Sequence, residues 1–183
     1  MKRLIITAAF LLIAPALPPA LVRAGNADDS PQGQFYFFTA PIVSNTQYYF
    51  NPPYTKEGGN NTGLGGEVLF HKGVGAGIEL GYAGDWSFSG NGSAVGVGSL
   101  DASYHFLGNK SRRRVEPFAT GGYSLYYGER TTTQSGFNLG GGVDLWVIKH
   151  AALRLEVRYQ GGINGFHGQF NHFVALRVGM TFR

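Results

Sequence analysis

The sequence predicts an all-β chain folded as an eight-stranded antiparallel up-and-down transmembrane β-barrel, and three observations carry that prediction. Apolar and polar residues alternate with period two along most of the chain, the connections between the alternating runs are long and short in turn, and the polar face is crowded with glycine and empty of mid-strand lysine.

Composition narrows the field first. Of 183 residues, 43% are hydrophobic and only 14% charged, with 29 glycines and no cysteine. The charged share is near half the ~25% of an ordinary soluble domain, and glycine is about twice the usual ~7%. With 14 Phe and 10 Tyr the chain has ample apolar surface to bury, which excludes disorder. The glycines show no three-residue period, which excludes a collagen-like helix. Without cysteine there is no disulfide scaffold and no cysteine-ligated zinc or iron–sulfur centre.

The first element is for export. Lys2 and Arg3 precede the apolar run Leu4 to Ala14; Pro15, Pro18 and Pro19 then break any helix, and Val22-Arg23-Ala24 offers small residues for cleavage after Ala24. This is the layout of a secretory signal peptide, with an apolar run well short of the ~20 residues a spanning helix needs. Residues 1–24 are therefore expected to be removed, 25–32 to form a flexible periplasmic lead-in, and 33–183 to form the barrel. Losing Lys2, Arg3 and Arg23 leaves 12 basic and 11 acidic residues, a formal charge of +1. The precursor's +4 is thus no argument for nucleic acid as a partner, and none is expected.

From residue 33 the chain reads as strand, turn, strand to its last residue. The runs are 33–46, 63–72, 74–84, 94–107, 115–127, 135–148, 151–161 and 170–183. In the third, Val74, Ala76, Ile78, Leu80 and Tyr82 share one face, opposite Gly75, Gly77, Glu79 and Gly81. In the seventh, Leu153, Leu155, Val157 and Tyr159 oppose Arg154, Glu156, Arg158 and Gln160. In the last, His172, Val174, Leu176, Val178, Met180 and Phe182 alternate with Phe173, Ala175, Arg177, Gly179 and Thr181. Each run reaches the 9–11 residues that a tilted spanning strand requires. Connections two, four and six are short, around Lys72-Gly73, Gly108 to Arg114 and Lys149-His150, whereas one, three, five and seven are longer. That places both ends of the barrel segment on the tight-turn side.

Which face points inward separates a membrane barrel from its rival, a soluble periplasmic cup. A solvated exterior carries lysines, yet Lys56, Lys72, Lys110 and Lys149 all lie in connections or at strand ends. Gly75, Gly77, Gly81, Gly140 and Gly142 on the polar face suit the narrow interior of an eight-stranded barrel better than a wet surface. Tyr48, Tyr49, Tyr82, Tyr104, Phe106, Tyr126, Tyr127 and Phe182 gather near strand ends, where bilayer interfaces favour aromatics. The apolar face is expected to meet lipid.

Signal peptide, eight alternating strands and a last strand ending near an aromatic resemble the small outer-membrane β-barrels of the OmpA/OmpX type, over residues 33–183. The resemblance implies the outer membrane of a diderm bacterium, a monomer, and contact with outer-membrane lipid and lipopolysaccharide. It also implies that Val174, Leu176, Val178, Met180 and Phe182 form the signal read by the barrel-assembly machinery. The family usually ends on an aromatic, whereas here Phe182 precedes Arg183. The peptidoglycan-binding domain of some relatives is not expected.

With the apolar face outward, the polar face assigns Glu67, Glu79, Asp101, Glu116, Asp144 and Glu156 to the lumen, facing Arg154, Arg158 and Arg177. Charges in a narrow lumen must be paired or cost several kcal/mol each, and arginine's planar five-donor fork suits that pairing. A salt-bridge network plugging the lumen is expected, with a structural or surface-interaction role. The alternative is a narrow gated pore for ions or small solutes, in which one arginine switches between acidic partners.

Catalysis is weakly signalled. Asp101, Ser103 and His105 share a face, but residues i and i+2 stand about 6.6–6.8 Å apart along a strand, far beyond a working Ser–His contact of ~2.6–3.2 Å. Some barrels of the resembled type are lipid A deacylases or acyltransferases, which leaves a lipid-modifying outer-membrane enzyme as a further alternative; the deacylases carry a His-x-Ser pair near a late strand, and the nearest candidate here, His167-Gly168-Gln169, lacks the serine. Gly73 to Gly77 and Gly140 to Gly142 have no following helix with which to bind phosphate. His167 and His172, without a nearby carboxylate, make a poor metal site. No catalytic residue, metal or cofactor is expected. Two surfaces remain. Lys72, Lys110, Arg112, Arg113, Arg114 and Lys149 make the tight-turn rim basic, a candidate contact for anionic headgroups. The longest outer loop, Gln47 to Thr62, holds Tyr48, Tyr49, Phe50 and Tyr54, and any extracellular ligand is unidentified.

Overall fold

The computed structural model describes residues 31–47, 54–56, 59–84, 94–106, 114–128, 131–163 and 170–183. Eight long strands form the wall: β1 (Gln32–Gln47), β3 (Asn60–Leu69), β4 (Val74–Gly84), β5 (Ala94–His105), β6 (Val115–Gly128), β7 (Thr131–Ile148), β8 (Ala151–Ile163) and β9 (Phe170–Phe182). A three-residue β2 (Tyr54–Lys56) pairs with Asn45–Gln47 at the far end of β1. Each long strand pairs antiparallel with the next long strand, β1 with β3 and so on to β9, and β1 also pairs with β9. The sheet therefore closes on itself, so its long strands leave no unpaired edge.

Side chains sort by parity, as a closed pleated sheet requires. Leu100, Leu139, Val157, Leu176 and Val178 stand outward and exposed, while Glu79, Asp144, Arg158, Arg177 and Thr181 are buried inside. Leu100 and Leu139 each leave 64% of their surface uncovered. An apolar skin around a charged interior is the inverse of a soluble protein and is satisfied by a hydrocarbon solvent. The soluble cup is the reading this arrangement opposes. Tyr82 and Tyr127 stand outward near the loop end, and Tyr104, Phe106 and Phe182 near the tight-turn end. Tyr48 and Tyr49 lie outside the described residues. Tyr126 departs from the expected aromatic girdle: it shares parity with buried Ser124, and its hydroxyl is buried inside.

The expected runs hold at their centres and shift at their ends. The first strand begins at Gln32, one residue inside the expected lead-in. The second spans 60–69 and not 63–72, because the chain turns sharply at His71–Gly73, where Lys72 adopts a left-handed φ of 61°. The fifth connection is not a long loop. The β6–β7 ladder continues through a register shift to Gly128↔Thr131. Thr131, Thr132 and Thr133 are β-branched and favour strand, but a polar run offers no alternation to read.

Strand β1 is apolar on both faces. Phe35 and Phe37 face outward, and Tyr36 and Phe38 are buried inside. The lumen makes room with glycine directly opposite: Tyr36 pairs with Gly65 and Phe38 with Gly63. A Cβ on Gly63 would stand 2.7 Å from the Phe38 ring, closer than packing permits.

Placing a charge on the skin tests the orientation. Leu100→Arg should lower the unfolding free energy in lipid vesicles by about 2–4 kcal/mol. Denaturant titration from vesicles reads this directly, and a near-zero cost would point to a solvated exterior.

Candidate functional site: a lumenal charge network

The lumen is filled by two linked clusters joined at Glu156. In the loop-side cluster, Arg177 on β9 grips Glu79 on β4 with both terminal nitrogens, at 2.9 and 3.0 Å. Its Nε donates to Asn61 Oδ1 at 3.1 Å, and its guanidinium lies 3.9 Å above the Phe38 ring. Arg158 on β8 donates from Nη1 to Asn138 Oδ1 at 2.6 Å and to Asp101 Oδ2 at 3.3 Å, and from Nε to Glu156. Asn138 returns a bond to Asp101 at 2.7 Å and another to Ser124, which meets Ser99 at 2.9 Å. Tyr36 donates to Glu79 at 3.3 Å.

The turn-side cluster is built around Arg154, whose guanidinium is sandwiched between Tyr36 at 4.4 Å and Phe118 at 3.9 Å. It faces Asp144 at 3.4 Å, Glu156 at 3.5 Å and Glu67 at 3.6 Å. Thr181 donates to Asp144 at 3.0 Å and Ser103 to Glu67 at 2.7 Å. His105 bridges two carboxylates, with Nδ1 2.8 Å from Glu116 and Nε2 3.4 Å from Glu67. Ionised carboxylates only accept, so a protonated imidazole would satisfy both. Glu116 also accepts from Trp146 Nε1 at 3.0 Å and meets Arg183 at 3.4 Å. The Arg183 guanidinium lies 3.6 Å over the Trp146 ring, capping this end of the lumen.

All nine charged residues assigned to the lumen by parity thus face it and join one network. Glu156 touches all three arginines: Arg154, Arg158 and, at 3.9 Å, Arg177. Several members escaped sequence reasoning. Tyr36, Phe38 and Phe118 are aromatics on the polar face; the available signal was the glycine facing each of the first two. Asn61, Asn138 and Thr181 sit on the right face but carry no charge to flag them. Asp101, Ser103 and His105 do not meet as a relay: Asp101 turns to Arg158 and Asn138, while Ser103 and His105 both turn to Glu67. The side chains of His167, His71, Phe50 and Tyr54 lie outside the described residues, and His172 meets the Tyr159 ring at 5.7 Å in a tilted arrangement on the outer face. Among the described residues no group of three His, Cys, Asp or Glu side chains could hold a metal. On β9, Leu176, Val178, Met180 and Phe182 of the expected assembly signal stand exposed on the lipid side, in line with Val174.

The closed eight-strand antiparallel barrel is the fold of small outer-membrane β-barrels of known structure. Among solved structures, Neisserial surface protein A (NspA) is similar in fold, at a TM-score of 0.66 and 12% identity over 83% of this chain and 97% of that one. The N-terminal barrel domain of Pseudomonas aeruginosa OprF, at 18% identity over 82% and 100%, has a TM-score of 0.49. Ail of Yersinia pestis, at 10% identity over 82% and 99%, has a TM-score of 0.48. No family model and no curated protein matches the sequence.

Breaking one buried pair should be costly. Arg177→Met removes the two-pronged bond to Glu79, leaving that carboxylate with Tyr36 at 3.3 Å and Arg158 at 3.5 Å, and should destabilise the barrel by up to about 3–5 kcal/mol. Combining it with Glu79→Gln should restore part of that loss, a non-additivity that equilibrium unfolding of both singles and the double would reveal.

Proposed function

We propose that the protein is an exported, monomeric outer-membrane barrel of a diderm bacterium, with a structural or surface-interaction role, a plugged lumen and no catalysis. The observation that carries this reading is the occlusion of the lumen. Arg154, Arg158 and Arg177 are at most 2% exposed, and each is tied to carboxylates on other strands. A network that spans the lumen braces the wall, and an interior of eight strands is narrow enough for side chains to fill. Binding then falls to the loops, which are free to vary on a rigid scaffold. The lipid-facing skin is solvated by outer-membrane lipid and lipopolysaccharide. The exposed apolar side of β9, ending at Phe182, presents the sequence read by the barrel-assembly machinery.

A narrow gated pore is the second reading, favoured by one observation. The buried amides of Gln34 and Gln160 have no partner, as expected where ordered water enters the lumen. Planar-bilayer recording separates the two. The plugged barrel should show no sustained conductance, and Arg158→Ala should leave it closed or open it only in brief steps; a large, steady conductance in the unmutated protein would overturn the plugged reading. On a detergent gel the unboiled protein should migrate differently from the boiled one, whereas a soluble cup would partition into buffer and show no such shift.

A further inference from the structure

We propose that the tight-turn rim is a binding surface for anionic phospholipid headgroups, with Lys72, Arg114 and Lys149 as the phosphate-facing cations; this rests on the membrane-barrel reading. Each of the three is exposed, and each sits on a different connection, β3–β4, β5–β6 and β7–β8. Among the described residues none has a carboxylate partner. Residues 70–74, 106–115 and 147–151 contain no Asp or Glu at all. Among the described residues, the further cation at this end, Arg183, is already committed to Glu116 and Trp146.

The neighbours of these cations set their depth. Phe70 and Val74 flank Lys72, Val115 follows Arg114, and Val147 and Ile148 precede Lys149; all five are exposed, and Phe70, Val74, Val115 and Val147 share the parity of the lipid-facing side. A side chain in the acyl layer places the charge beside it at the headgroups, where lysine and arginine stems snorkel. The six lumenal carboxylates do not neutralise the rim, because they are engaged inside with the arginines and His105. The opposite end mixes signs by sequence: Lys56 with Glu57, Glu129 with Arg130, and Asp85. By sequence the three tight turns carry cations alone, with Asp28 and Asp29 the only acids of the segment that leads into β1 on the same side.

The distribution favours a leaflet over a polymer. The three connections alternate around a closed ring, so the cations are spread along the perimeter and not gathered in one groove. A surrounding layer of phosphates can meet all three at once; one strand of a soluble polyanion cannot.

The full barrel in nanodiscs of phosphatidylcholine with a minor share of phosphatidylglycerol provides the test, with retained lipid counted by native mass spectrometry. The unmutated protein should retain phosphatidylglycerol in several-fold excess over the disc composition. Lys72→Gln, Arg114→Gln and Lys149→Gln together should abolish that excess, and each alone should remove only part of it at low salt. Arg130→Gln at the other end should leave it intact. The proposal fails if the triple variant keeps the excess, or if the unmutated protein shows none. It fails equally if the rim instead captures soluble cell-wall polyanion in discs of pure phosphatidylcholine. The heat-dependent gel shift, run on every sample, separates a failed rim from a failed barrel, and the single variants carry the test should the triple variant not insert.

Discussion

The shared carboxylate of Glu156 holds the interior together. Three guanidiniums converge on it from β8 and β9, and through them it connects to acids on β3, β4, β5 and β7. An ion moved from water into such a space loses several kcal/mol of solvation, recovered only when its partners are close and its remaining hydrogen bonds are made. Arginine meets that requirement better than lysine, because its flat fork both bonds at its edge and stacks on its face. Arg154 and Arg177 do both at once, bonding to carboxylates while lying on aromatic rings.

Volume follows from the same constraint. A wall of eight strands leaves room for a limited set of side chains, and the chain divides it between large and absent ones. Tyr36 and Phe38 lie against Gly65 and Gly63, and a Cβ on Gly140 would crowd Glu156 and Arg158. The high glycine content is therefore the complement of the buried rings and guanidiniums. Low overall charge has a related origin, since lipid takes one face of every strand and the lumen admits only charges that find partners.

Much of this was legible from alternation. Period two, sustained through β4, β8 and β9, identified those strands and assigned all nine lumenal charges to the correct side. It failed where both faces share a character. In Phe35-Tyr36-Phe37-Phe38 every position is apolar, so parity could not reveal two rings inside. In Thr131 to Gln134 every position is polar, so a ladder extending past the expected barrel edge read as loop. Tyr126 looked like an interfacial aromatic because its neighbour Tyr127 is one; a single step along a strand reverses the face.

Taken alone, the sequence determined the class of fold, the number of wall strands and which charges face inward, because a pleated strand sends alternate side chains to opposite sides. It could not determine which acid each arginine meets. Arg177 and Glu79 are 98 positions apart, and Asp101 turns away from His105 on its own strand to bond Arg158 on another. Those choices depend on register and on the stagger introduced when β1 closes against β9. Only the closed barrel links acids on β3, β4, β5 and β7 to Glu156 through arginines on β8 and β9, and with them forms a mouth capped by Arg183 on Trp146.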